Sequence, residues 1–173
     1  EIEGYALERL EHDVSSGFTR VTTVIRLHGR GEEGLGEDVV YDADDHDAAL
    51  RQGPALPLAG RHTLGTFSEL LGALDLFPEP PQREVSRRYR RWAYESAALD
   101  LALRQAGTSL AEAVGRTPRP VAYVVSLRLG EPATLAPVHS RLRRYPDLRF
   151  KLDPTPAWTD EIVAGLAETG AVA

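Results

Sequence analysis

The 173-residue chain has no cysteine and no methionine, and only one lysine among its 20 basic residues. Without cysteine there can be no disulfide and no thiolate metal site. Long apolar runs are also missing. Nothing approaches the ~20 consecutive apolar residues that a helix needs to cross a bilayer. No charged segment followed by an apolar stretch opens the chain, so no signal peptide is expected in it. The expected setting is cytoplasmic, with no membrane partner. The first residue is Glu1, so the true start is expected to have been removed or left out. A positive excess is lacking too. The net charge of −6 argues against non-specific nucleic-acid binding. What is present is a hydrophobic fraction of 42%, enough to bury a core in one domain, or in one domain and part of another. A GC-rich genome explains why arginine outnumbers lysine. It does not explain why the remaining lysine is Lys151, in the stretch "RFKLDPTPAW". The two residues are not interchangeable where a reaction needs an amine whose pKa can be moved.

Periodicity divides the chain into two halves of different character. Residues 2–12 alternate weakly and residues 20–28, "RVTTVIRLH", are rich in β-branched side chains, so both read as strands. Residues 15–17 read as a turn, 29–36 as a glycine-rich turn, and 37–41 as a third short strand. A three-stranded antiparallel sheet is expected. Helices follow over 44–50, capped by Asp44 and Asp45, and over 69–76, capped by Thr66 or Ser68. The longest helix is expected over 85–105, with Trp92, Ser96, Leu99 and Leu103 at helical spacing and Ala93, Ala97 and Ala98 beside them. A short helix from Ser109 ends at Gly115. The pattern then changes. Residues 120–127, "PVAYVVSL", form an apolar run without alternation, as in a strand buried on both faces. A helix over 133–144, a strand over 148–153 and a helix over 160–168 give β-α-β-α, the order of a parallel sheet. Another strand could start at 171–173.

Several motifs invite chemical readings. Gly29-Arg30-Gly31-Glu32-Glu33-Gly34 is a literal GxGxxG. A dinucleotide site requires a helix next, and a strand pattern follows instead. Two glutamates in the loop would also repel phosphate, so a hairpin turn is expected. The acidic run 42–47 lacks the glycine and glutamate of a calcium loop and reads as a helix start, with a site-facing role open for Tyr41 or His46. The basic run 87–91 reads as a solvated helix face rather than an RNA contact. His139-Ser140 lacks nucleophile-elbow glycines. Lys151 and Asp153 lie two apart at the C-terminal end of a strand, so they share one face. In a parallel α/β barrel that end carries the active site. A surface ion pair is the plain alternative.

The segments "GEEGLGEDVVY", "WAYESAALDLALRQAGTSLAEAVG", "RPVAYVVSLRLG" and "YPDLRFKLD" resemble, in this order, the enolase superfamily in its mandelate racemase and muconate-lactonizing branch. The first is like that family's G-x-x-G-x-G-E hairpin and the second like its A-x-E-x-A-L-x-D-L helix. The third and fourth are like barrel strands one and two. The resemblance implies an α+β capping domain over 1–115, followed over 116–173 by the start of a (β/α)8-type barrel with about two βα units. It implies Mg²⁺-assisted removal of a proton α to a carboxylate, as in dehydratases, racemases and cycloisomerases. The substrate would be a small carboxylate and the assembly a homo-oligomer. Strand two of that family often ends in Lys-x-Lys. Lys151 matches the first lysine, which binds the substrate carboxylate. Asp153 stands where the second, the general base, would be. With an unperturbed pKa near ~4, an aspartate is a poor base for a weak carbon acid. Ser126, Phe18 and Tyr41 are implied as substrate contacts, the last two from the closing loops 14–20 and 40–46. The Mg²⁺ ligands of the family lie on later strands, so no residue here is expected to bind metal. The alternatives are a non-catalytic relative or fragment acting as a binding or assembly module, and an unrelated α+β binding domain.

Overall fold

A computed structural model describes residues 1–14 and 17–173. The turn expected at 15–17 therefore lies partly outside the described residues. The chain divides into two compact units, Glu1–Thr117 and Pro118–Ala173. The architecture is mixed α/β, with one antiparallel sheet and one parallel pair. Among the described residues no helix is long and apolar enough to cross a membrane.

In the first unit β1 (Gly4–Asp13), β2 (Thr19–Gly29) and β3 (Glu32–Asp38) form an antiparallel sheet in the order β1-β2-β3. Alternation in β2 buries Val21, Thr23, Ile25 and Leu27. The β2–β3 turn is shorter than the sequence suggests. Only Arg30 and Gly31 lie outside the Gly29–Glu32 pair, both with positive φ, as a two-residue hairpin loop requires. Of the glycines expected in that turn, Gly34 and Gly36 belong to β3. A Cβ on Gly34 would sit 2.3 Å from the Ala97 carbonyl oxygen, and one on Gly36 would sit 2.0 Å from that of Ala93. These glycines let a helix backbone lie directly on the strand.

That helix is α3 (Ser86–Ala106). Its buried face includes Ala93, Ala97 and Ala98, small enough for the close approach, with Tyr94 and Leu101 beside them. The larger Trp92 of the expected apolar stripe is exposed. Helices α1 (Ala43–Gln52), α2 (Leu64–Ala73) and α4 (Leu110–Ala113) complete the unit. The α1 N-cap is Asp42, without a side-chain bond, so the expected capping by Asp44 and Asp45 is replaced by their place in the first turn. Helix α2 starts earlier than expected because Thr63, not Thr66 or Ser68, is the cap. Thr63 Oγ1 accepts from Thr66 N at 3.1 Å, and Thr63 N donates to Thr66 Oγ1 at 3.0 Å. The basic run is only partly a solvated face. Arg87 and Arg91 pair with nearby acids, whereas Arg90 is buried.

In the second unit β4 (Val124–Leu127), α5 (Ala136–Arg144), β5 (Arg149–Leu152) and α6 (Asp160–Thr169) follow one another. Strands β4 and β5 are parallel, and a further parallel bridge joins Phe150 to Val172. Neighbours in the sheet thus follow chain order, with a helix between each pair. Thr159 caps α6 by accepting from Ile162 N, and Gly170 ends it in the left-handed region. Phe150, Leu129, Val138, Leu166 and Ala171 form the core, with Val125, Leu127 and Leu152 packed against it. The run at 120–127 is therefore not buried on both faces. Helices cover one face, and Val121, Tyr123 and Val124 are exposed.

Candidate carboxylate-binding site

Strict alternation fixes which side chains share the uncovered face of the parallel pair. Val125, Leu127 and Leu129 turn toward the helices from the first strand and its extension, and Leu148, Phe150 and Leu152 do so from the second. The residues between them, Val124, Ser126 and Arg128, and Arg149, Lys151 and Asp153, are all exposed. The register sets Ser126 beside Lys151. Three of the residues singled out in the sequence, Ser126, Lys151 and Asp153, therefore come together at the C-terminal end of the parallel strands.

Lys151 Nζ donates to Asp153 Oδ1 at 2.6 Å, and both side chains are more than half exposed. The ammonium beside it, through this bond and its charge, holds the Asp153 carboxyl below the usual aspartate range, with a smaller contribution from the Arg128 charge. This carboxylate is thus a weaker base than an ordinary aspartate. What the pair offers is a lysine oriented by a neighbour and open on its other sides to an incoming anion.

Phe18 and Tyr41 belong to the first unit, at the end of its sheet where β2 begins and β3 finishes. Phe18 is exposed, and its carbonyl accepts from Val14 N at 3.0 Å. Tyr41 is exposed and flanked by two guanidinium groups, Arg20 at 4.7 Å and Arg83 at 5.5 Å from its ring centre. Arg20 also donates to the Val39 carbonyl, so one arginine binds the 39–41 segment to β2. His46 does not face a site. It is fully buried, with Nε2 donating to the Val40 carbonyl at 3.1 Å and Nδ1 accepting from Thr23 Oγ1 at 2.9 Å. The carbonyl can only accept, and this fixes the tautomer.

The residues present do not fit Mg²⁺. Among the described residues no three His, Asp or Glu side chains come together as ligands. The one carboxylate on the open sheet face, Asp153, is already bound to Lys151. Two features carried little or no sign in the sequence. Arg128 was marked only by the alternation of Val124 to Leu129 continuing one residue pair beyond the strand. The buried pair of Arg90 and Asp38 had no local sign at all.

No curated protein matches the chain. Its fold is similar to a solved structure described as "L-Ala-D/L-Glu Epimerase", with 21% sequence identity and a TM-score of 0.52. The match covers 99% of this chain and 61% of that one, so the chain spans about three-fifths of the length of that protein. At this identity the likeness is one of fold. The family model described as "Domain of unknown function (DUF8230) N-terminal domain" matches residues 1–113, and its C-terminal counterpart matches residues 117–173. The chain belongs to this DUF8230 family.

Proposed function

We propose that the chain is the N-terminal part of an enolase-superfamily protein, in which 1–115 is the capping domain and 116–173 starts the barrel. Lys151 binds the carboxylate of a small substrate from which a proton is removed at the adjacent carbon. The observation that carries this reading is the position of Lys151, on the helix-free face of a sequentially ordered parallel sheet, at its C-terminal end. Active sites of parallel α/β barrels occupy that end. The epimerase fold of the structural neighbour supports the reading, and epimerisation belongs to the implied class of reaction.

Within this chain the chemistry is electrostatic. When a proton leaves the α carbon, negative charge moves onto the carboxylate oxygens. An ammonium in contact with those oxygens stabilises the added charge, and more strongly where water is excluded. Lys151 therefore serves the transition state more than the ground state. Asp153 orients the ammonium. Bound to that ammonium, Asp153 is a weak base, suited only to an easily removed proton, and a less acidic substrate needs a base from other residues. Ser126 offers a hydroxyl beside the bound carboxylate. The described residues do not fit the Mg²⁺ implied by the resemblance, so their own contribution is binding, orientation and charge. The same reading carries a cytoplasmic homo-oligomer acting on a small carboxylate, with no nucleic acid or membrane as partner.

The second reading is a non-catalytic relative that only binds a carboxylate. The observation that favours it is Asp153 in the place of the family's basic lysine. Deuterium entry at the α position separates the two readings. The complete protein is incubated in D₂O with a panel of 2-hydroxy and sugar acids and followed by NMR. Exchange that is lost in Lys151→Ala supports the catalytic reading. Equal exchange in wild type and variant makes the lysine structural. No exchange across the panel favours the binding module.

A further inference from the structure

The open face of the parallel pair carries more positive charge than one carboxylate needs. Its residue pairs are Val124 with Arg149 and Ser126 with Lys151. The same register, carried one step past the strands, sets Arg128 opposite Asp153. The burial pattern supports that step, because Leu127 and Leu129 on either side of Arg128 pack into the helix-side core. Three cations and one carboxylate thus share this face, in a chain whose net charge is −6. Asp153 is taken by Lys151 at 2.6 Å. Arg149 donates to a backbone carbonyl, that of Val172, at 3.0 Å. Among the described residues neither Arg128 nor Arg149 has a carboxylate partner, and both are exposed.

From this placement we infer that the site takes a small dianion with its two acidic groups on separate carbons, with Lys151 binding one group and Arg128 the other. The inference rests on the carboxylate-binding reading of Lys151 and adds the substrate class and a specificity-determining residue. Spacing argues for two groups rather than one multiply charged group. Alternate residues along a strand stand about 7 Å apart and adjacent strands about 5 Å apart. Lys151 and Arg128 are offset by one step in each direction, so their head groups can hold two carboxylates that share a short carbon chain. A guanidinium also presents a planar fork that matches a carboxylate with two parallel bonds, whereas the ammonium acts as a point charge. Arg149, one step back along β5, keeps the face positive when Asp153 has neutralised Lys151.

Calorimetry on the complete protein tests this, using succinate, glutarate and adipate, their monomethyl esters and inorganic phosphate. The esters keep the shape and lose one charge. At least one dicarboxylate should bind about 10-fold more tightly than its ester, the effect of one charge-assisted contact. In Arg128→Gln that preference should vanish while ester binding stays. In Lys151→Gln ester and dicarboxylate should both weaken. Arg128 is exposed, so its variant should melt like wild type. Equal binding of dicarboxylates and esters, with Lys151→Gln still weakening both, overturns the dianion inference alone. Phosphate binding as tightly as the best dicarboxylate overturns the two-group spacing and the inference with it. Binding that ignores Lys151→Gln, or no binding of any probe, overturns the carboxylate-site reading beneath it.

Discussion

Arg90 and Asp38 form an ion pair sealed inside the first unit, Nε to Oδ2 at 2.7 Å, with each residue only 2% exposed. The guanidinium also donates to the carbonyls of Leu76 at 3.2 Å and Asp45 at 2.7 Å, and lies 3.7 Å from the centre of the Phe77 ring. One side chain thus joins the end of β3, the start of α1, the segment after α2 and the first turns of α3. Arg90→Ala should destabilise the protein by about 3–5 kcal/mol, because Asp38 is left charged and unpaired. The Arg90→Met, Asp38→Asn double variant should lose less than the single one. Urea unfolding monitored by circular dichroism measures both. Equal losses would mean that the unpaired Asp38 charge is not what destabilises the single variant.

Two glycines should respond to alanine with opposite signs. Gly36 faces the Ala93 carbonyl, where a Cβ would lie 2.0 Å from a backbone oxygen that cannot turn aside. Gly36→Ala should cost about 3 kcal/mol by forcing α3 off the strand. Gly72 lies inside α2, and a Cβ there would meet only the end of the Arg91 side chain at 3.2 Å. Gly72→Ala should stabilise by up to about 1 kcal/mol through helix propensity. Thermal melting of the two variants checks the contrast. A neutral Gly36→Ala would refute the close packing of α3 on β3.

This contrast also marks how far the sequence could be read. The β-branched alternation of residues 20–28 identified β2, and Thr159 and Gly170 identified both ends of α6. Gly34 and Gly36 were mistaken for turn residues, since glycine under a helix and glycine in a loop look alike in one sequence. The buried face of α3 was obscured because its small alanines carry a weaker apolar signal than Trp92, yet it is Ala93 and Ala97 that lie over the β3 glycines. Arg90 was hidden because a buried guanidinium depends on partners from three distant segments. The face bearing Ser126, Lys151 and Asp153 could be foreseen, since residues two apart on a strand share a side. Arg128 could not, because its strand looked uniformly apolar and its alternation emerged only with the helices in place.

The Lys151–Asp153 pair makes a prediction about pH. The folded-state pKa of Asp153 lies below its unfolded value, so the pair contributes what stability it has above the unfolded value near ~4. That contribution fades as pH falls through the depressed folded pKa. No change from this pair is expected between about pH 5 and 8. NMR titration of the Asp153 carboxyl should show a midpoint below that of an ordinary aspartate. In Lys151→Ala the midpoint should rise toward the unperturbed value. An unchanged midpoint would mean that the 2.6 Å contact does not persist in solution.

Whether Lys151 meets the ligand can be read from the side-chain signal of that lysine. It is the only lysine among the 173 residues. In the complete protein labelled with ¹³C-lysine, its ε-methylene resonance is assigned by its loss in Lys151→Arg. Carboxylates are then added to saturation, with binding measured independently by calorimetry. A shift of the Lys151 resonance that tracks the calorimetric saturation curve is the predicted result. A saturated protein in which this resonance has not moved would mean that the carboxylate binds away from Lys151.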